Sequence, residues 1–378
     1  MDQIPLKQNF YQLSFTHLES LGQQNDLAKS NASILYNWHY KKNKREFCEH
    51  HNLAKKTKEF LKKNIVFDLP EIELVKESQD KTVKFLFRLK DNQKVESVLI
   101  PFQKKYTVCL SSQVGCAMNC SFCHTGKQGF LRNLTADEIV GQFLGAQKWL
   151  SEKRPDDDRI LNIVYMGQGE PLHNFDAVKT SAEIFLSQHG LSLAGSKITI
   201  STSGYLPGLE RWKNEMPDVN IALSLHSAFN EKRSELIPIN RRFPLEQILE
   251  LVDSIPKGKK RFVTYEYLLI KNFNDTPEDA EALGRLLFGK KAYINLIPFN
   301  AFSGTKYERP AEATVLEFKN LLDKYKIPTL IRTTKGDQIM AACGQLNTRS
   351  GLINSDPSLP SSDQMSSLYS STSDRIRL

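Results

Sequence analysis

Six cysteines occur in this chain, at positions 48, 109, 116, 120, 123 and 343, and four of them fall between 109 and 123. Crowding of that kind points to metal or redox chemistry rather than to the disulfide scaffold of a small secreted domain. The run CAMNCSFC places Cys116, Cys120 and Cys123 in a C-x3-C-x2-C pattern. Three thiolates so spaced can cap one face of a cubane iron–sulfur cluster, which takes four ligands in all. With three from the protein, one iron keeps an open position, as catalytic metals generally do. Such an iron can chelate the amino and carboxylate groups of S-adenosylmethionine and pass an electron to its sulfonium. Two other uses remain open on spacing alone. Zinc would take its fourth ligand from His124 or Cys109, although no second C-x2-C knuckle exists. Haem would attach through Cys120, Cys123 and His124, which match C-x-x-C-H. Haem attachment normally follows export, and MDQIPLKQNFYQL has neither the basic nor the apolar region of a signal peptide.

The elements that must hold these cysteines repeat along the chain. Apolar, β-branched runs occur at 106–110, 160–166, 197–202, 220–225, 262–270 and 293–299, with helix-like stretches between them such as 134–150, 175–188 and 276–289. Thr135 with Glu138 forms a capping box where the first helix should begin. Alternation of this type predicts an α/β fold built from parallel βα units with right-handed crossovers. Six units are too few for the closed eight-stranded barrel, so the expectation is a partial (βα)6 barrel, with TLIRTT (329–334) extending it. Ser201, Ser224, Leu225, His226 and Asn300 then fall at successive strand ends, where ligands gather in parallel sheets.

Residues 1–95 read as a small, mixed and mainly helical N-terminal domain that contacts RNA, and 96–346 as the catalytic domain. YNWHYKKNKREF (36–47) and LAKKTKEFLKK (53–63) mix aromatics and lysines at helical spacing. Tyr36, Trp38 and Tyr40 could stack on bases while lysines meet phosphates, or the aromatics could fill a small core. TVKFLFRL (82–89) and VESVLIPF (95–102) alternate like a strand pair joined by a turn. Residues 347–378 are a tail rich in serine, which predicts disorder.

A net charge of +8 and a pI near 9.0 make an acidic partner such as nucleic acid plausible. No run of 18 apolar residues appears, so no membrane span is expected and the cytoplasm is the default location.

The stretch 109–142 closely resembles the dual-specificity adenine-carbon-2 RNA methyltransferases, a branch of the radical S-adenosylmethionine superfamily. The likeness continues through MGQGEPLHN (166–174), ISTSG (200–204), SLH (224–226), INLIPFN (294–300) and AACGQL (341–346), in order. His124 stands where the family usually has a small residue, and Gln168 interrupts MGxGEP. The resemblance implies a radical-SAM barrel with a [4Fe-4S] cluster on Cys116, Cys120 and Cys123, and two S-adenosylmethionine molecules per turnover. It implies that Gly169, Glu170, Ser201, Ser224, Leu225, His226 and Asn300 bind the cofactor. It further implies that Cys343 is methylated, that a deoxyadenosyl radical activates this methyl group for addition to adenine, and that Cys109 then attacks the Cys343 sulfur. A transient disulfide results, and Glu96 matches the family's proton acceptor. The implied partners are large-subunit rRNA or tRNA and an external electron donor such as flavodoxin or ferredoxin, with the enzyme a monomer. The related carbon-8 branch shares the cluster and both outer cysteines; GEPLHN and QVGC favour carbon 2. Cys48 matches no motif and reads as structural.

Overall fold

A computed structural model describes residues 7–44, 53–102, 105–157, 159–256 and 262–348. Cys48 and the serine-rich tail beyond 348 lie outside the described residues.

Every β-branched run named above becomes a strand, because side chains branched at Cβ pack well on a pleated surface. The short pair β1 (Gln8–Asn9) and β2 (Ile65–Val66) lies in the N-terminal region. Strands β3 (Glu71–Glu77), β4 (Val83–Arg88) and β5 (Lys94–Phe102) run antiparallel to one another. Then come β6 (Lys105–Cys109) and the small pair β7 (Gln113–Gly115) and β8 (Phe130–Asn133). The remaining strands are β9 (Ile160–Tyr165), β10 (Ile198–Thr202), β11 (Asn220–Ser224), β12 (Val263–Leu269), β13 (Ala292–Pro298) and β14 (Thr329–Ile331).

One ten-stranded sheet has the order β14-β13-β12-β11-β10-β9-β6-β5-β4-β3. From β6 to β14 all its pairings are parallel, as the alternating βα pattern requires. The six expected strands are present and β14 adds a seventh, which makes the open α/β barrel. On its other side, β5 pairs antiparallel with β6, so the N-terminal strands join the barrel through main-chain hydrogen bonds. The compact unit runs to Leu346.

Helices α1 (Phe15–Gln24), α2 (Ser30–Tyr36) and α3 (Lys55–Asn64) precede the sheet. Between the barrel strands lie α4 (Ala136–Lys153), α5 (Phe175–Leu186), α6 (Leu206–Glu215), α7 (Asn230–Leu236), α8 (Leu245–Ser254), α9 (Pro277–Leu287) and α10 (Glu312–Asp323). The Thr135 backbone N–H donates to the Glu138 carboxylate at 3.0 Å, so α4 starts at its capping box. Ile139, Val140, Phe143 and Leu144 on α4 are buried in the main core.

The aromatic–lysine segment resolves in favour of a core. Tyr36 and Tyr40 are 0% and 2% exposed, and Phe10 packs against both. Tyr36 donates its hydroxyl to the Leu13 carbonyl at 2.6 Å. Neither ring is available to a base. Burying each such ring stabilises the fold by about 1.5–3 kcal/mol. Trp38 differs: it is part-exposed, with the ammonium groups of Lys42 and Lys44 at 5.6 and 4.9 Å from its ring centre. Arg132 is likewise committed, its guanidinium bridging Asp91 and Glu138 at 2.7 and 2.8 Å.

Candidate active site

The loop carrying Cys116, Cys120 and Cys123 is closed at its base by β7 and β8. Cys116 donates its backbone N–H to the Gly129 carbonyl at 2.9 Å. Gly115, with φ of 74°, passes so close that an added Cβ would lie 1.8 Å from that same oxygen. Only glycine fits there. Gly115→Ala therefore costs about 1–3 kcal/mol in backbone conformation alone, before the clash is relieved. The expected outcome is a folded protein whose iron content after reconstitution falls to a small fraction of wild type, measured by iron assay and circular dichroism.

The three thiols crowd one another in a poorly solvated place. Burial pushes Cys116 up to about 12, and Cys123 and Glu170 add to the rise, while a backbone N–H from Met118 opposes it. Burial also raises Cys120, reinforced by Cys116 and Cys123. Cys123 is raised by burial too, against hydrogen bonds from the Gly126 and Thr125 backbone and the Thr125 side chain. Such thiols ionise together only if a cationic group replaces their protons. Among the described residues, no three His, Cys, Asp or Glu side chains converge on a single ion. A cubane does not ask for convergence, since each thiolate takes a different iron, and all-sulfur donors suit it. The His124 ring stacks on Phe302 at 4.8 Å and 8°. The three cysteines fit a [4Fe-4S] cluster.

The expected cofactor residues gather at the carboxyl ends of the strands. Gly169, with φ of 102°, presses against Gln113, where an added Cβ would come within 2.5 Å of that side chain. Glu170 is buried, and burial raises its carboxyl. One oxygen accepts from Ser203 N–H and Oγ, both at 2.8 Å, and the other from Leu172 N–H at 3.1 Å. It thus ties the loop after β9 to the end of β10. Ser201 donates to Glu266 Oε2 at 3.1 Å. The other Glu266 oxygen, Oε1, is buried without a hydrogen-bond donor among the described residues and faces Arg332 at 3.8 Å. An orphaned acceptor of this kind suits a ligand hydroxyl or ammonium.

Ser224 and Leu225 offer their carbonyls to Arg233, at 3.0 and 3.1 Å. The same guanidinium donates to the Ser203 carbonyl and to Asn240 Oδ1. Four acceptors satisfy a fully buried cation that binds two strand ends together. Burial lowers Arg233 to about 10. His226, at φ of 60°, accepts the Leu268 N–H on Nδ1 at 3.1 Å, and its ring stands edge-on to Phe122 in the cysteine loop. Burial drops its basicity to about 3, so the ring is neutral with its proton on Nε2. Asn300 accepts from Thr334 at 2.9 Å and donates to the Cys343 carbonyl at 3.4 Å.

Cys343 sits on a loop pinned to the cysteine loop. His124 N–H donates to Gly344 O at 2.7 Å, and Thr125 Oγ1 to Leu346 O at 2.7 Å. Cys109, at the end of β6, is buried beside it. Its thiol is pushed up to about 12, first by burial and then by Cys343, while the Arg332 guanidinium pulls the other way. Glu96 on β5 is 5% exposed and pairs with the Lys84 ammonium at 2.8 Å. Gln168 Oε1 accepts the Glu96 N–H at 2.8 Å, so the residue that interrupts MGxGEP braces the carboxylate-bearing strand. Lys84, Arg233 and Arg332 carry no motif that sequence reading could seize; each acts through partners distant in the chain.

Comparison with known proteins gives a consistent picture. The Radical SAM superfamily pattern matches residues 110–286. Dual-specificity RNA methyltransferase RlmN of Desulfotalea psychrophila is 41% identical over 318 residues, covering 83% of this chain and 88% of that one. The protein of the same name from Syntrophus aciditrophicus is 40% identical over 339 residues, covering 90% and 96%. A crystal structure of a radical SAM methyltransferase from Sphaerobacter thermophilus superposes with a TM-score of 0.82 at 34% identity, covering 90% of this chain and 99% of that one.

Proposed function

The chain belongs to the dual-specificity RNA methyltransferases of the radical S-adenosylmethionine superfamily, and on that premise we propose that it methylates carbon 2 of adenine in large-subunit ribosomal RNA and in transfer RNA, using the paired thiols of Cys109 and Cys343. The observation that carries this reading is the pinning of the Cys343 loop to the cluster loop, with Cys109 buried alongside.

Carbon 2 lies between two ring nitrogens and is electron-poor, so it does not attack a sulfonium methyl and polar transfer is closed. A [4Fe-4S] cluster on Cys116, Cys120 and Cys123, with two S-adenosylmethionine molecules per turnover, supplies the methyl carbon and the radical chemistry. Gly169, Glu170, Ser201, Ser224, Leu225, His226 and Asn300 bind the cofactor, the neutral His226 as a donor from Nε2. The chain's own work is to carry and release carbon. Cys343 sulfur holds the methyl carbon and presents it to the base. Glu96 takes the proton that leaves carbon 2. Cys109 thiolate then attacks Cys343 sulfur, so a sulfur–sulfur bond replaces the sulfur–carbon bond; the released carbon keeps the bonding electron pair, takes a proton from water to become the methyl group, and the RNA departs. Cys109 must first lose its proton, and Arg332 favours the thiolate against the cost of burial. An external dithiol reopens the disulfide.

RNA is held in part by residues 1–95, where Lys55, Lys56, Lys62 and Lys63 on α3 are exposed. Extruding the adenine from folded RNA costs roughly a few kcal/mol, which phosphate contacts offset. A flavodoxin- or ferredoxin-type donor supplies electrons to a monomeric enzyme in the cytoplasm, where thiols stay reduced. No helix among the described residues is long and apolar enough to cross a membrane.

Reconstituted protein incubated separately with ribosomal RNA and transfer RNA should yield 2-methyladenosine from each, identified by nucleoside mass spectrometry. Methylation at carbon 8 instead would assign the chain to the other chemistry its two outer cysteines allow.

A further inference from the structure

Glu96 is a buried carboxylate. Its side chain is 7% exposed, and the ammonium of Lys84, itself 11% exposed, lies 2.8 Å away. A buried carboxylate is tolerable only with such a partner, because desolvation costs several kcal/mol per ion. Register places Lys84 opposite Val98 and Leu86 opposite Glu96 on the adjacent strands β4 and β5. Lys84 and Glu96 are therefore diagonal neighbours on one face of the sheet. Val98 on that face packs with Cys109 and Ala341.

The same ammonium makes a second contact. It donates to the Met340 carbonyl at 3.2 Å, three residues before Cys343. Met340 holds a left-handed backbone with φ of 52°, a conformation that a side chain makes costly and that persists only when its surroundings impose it. The turn before Lys84 grips the same segment. Asp80 accepts the Gly336 N–H at 3.1 Å, and Gln338 donates to Gln79 Oε1 at 3.2 Å.

We propose that Lys84 is a positioning residue for methyl transfer: its ammonium holds the Glu96 carboxylate and the Cys343 loop in one arrangement, so that base and methyl carrier meet the same adenine. This rests on the reading of Glu96 as proton acceptor and of Cys343 as carrier. Two of the three N–H bonds of one cation serve the two groups, and β3–β4 acts as the clamp.

Lys84→Met keeps the stem and removes the charge. In the reconstituted holoenzyme it should lower kcat about tenfold or more while KM for RNA stays unchanged, because no RNA contact is lost. Mass spectrometry should still find methyl-Cys343, with RNA-linked protein accumulating as the proton-removal step slows. Glu96→Gln should stall at the same point, and Lys84→Met on top of Glu96→Gln should cost less than it does alone, since the shared Lys84–Glu96 contact is already gone and only the Met340 contact is left to lose. Lys84→Arg, which keeps the cation, should recover most of the loss. Wild-type turnover in Lys84→Met, loss of methyl-Cys343, or a full additive loss in the double variant would each overturn the role of Lys84 alone. Normal turnover in Glu96→Gln would instead remove the proton-acceptor reading, and the proposal with it.

Discussion

Cys109→Ala enzyme, given RNA and S-adenosylmethionine under conditions where wild type turns over, accumulates RNA joined covalently to protein. The substitution leaves Cys343 able to accept a methyl carbon and present it to the base. It removes only the sulfur that attacks Cys343, and no other cysteine among the described residues combines burial with the influence of both Cys343 and Arg332. Turnover should fall by at least about three orders of magnitude, the scale expected when an essential nucleophile is deleted. The linkage is a carbon bridge, so nuclease trims the shifted band and reductant leaves it. Cys343→Ala should behave differently, with neither methyl-cysteine nor adduct. Were Cys109 a mere core residue, cutting it to Ala would leave a small cavity costing about 1–3 kcal/mol and no adduct.

Replacing any one of Cys116, Cys120 or Cys123 by Ala should abolish the cluster altogether. Anaerobically reconstituted wild type should bind about four irons and absorb through thiolate-to-iron charge transfer, as a cubane requires. The single variants should lose that absorption and all methylation. Their fold should persist, because the loop is closed by β7–β8 and by the Ser121 N–H to Leu236 O bond at 3.0 Å, neither of which uses a cysteine side chain. Stoichiometric zinc in wild type, or haem on Cys120 and Cys123, would defeat the assignment.

Much of this was written in local patterns. The barrel strands follow from runs of β-branched residues between amphipathic stretches, and the cluster ligands from three cysteines on one loop. Both signals are short-range, so a single sequence displays them. Tyr36 and Tyr40 were ambiguous for a physical reason: aromatics and lysines at helical spacing describe a core helix with a wet face as well as an RNA-facing one. Only the positions of Phe10, Tyr11 and Phe67, distant in the chain, decide that the rings are inside. The Lys84–Glu96 pair and the four acceptors around Arg233 were invisible for the same cause. Each joins residues whose proximity arises from strand register or from crossovers, which composition does not encode. Conversely, Gln168 stood out as a departure from a motif, and its side chain proves to accept the Glu96 N–H.

The main-chain bonding of β5 to both β4 and β6 bears on how the molecule can be divided. Beginning the chain at residue 96, where the catalytic motifs begin, would strip β4 from β5 and leave a row of unpaired amide and carbonyl groups beside Val98 and Leu99. Exposed edges of that length recruit strands from other molecules. A minimal enzyme trimmed to its motifs would thus be prone to precipitate, and the smallest soluble piece should start before Glu71, with the whole antiparallel flap retained.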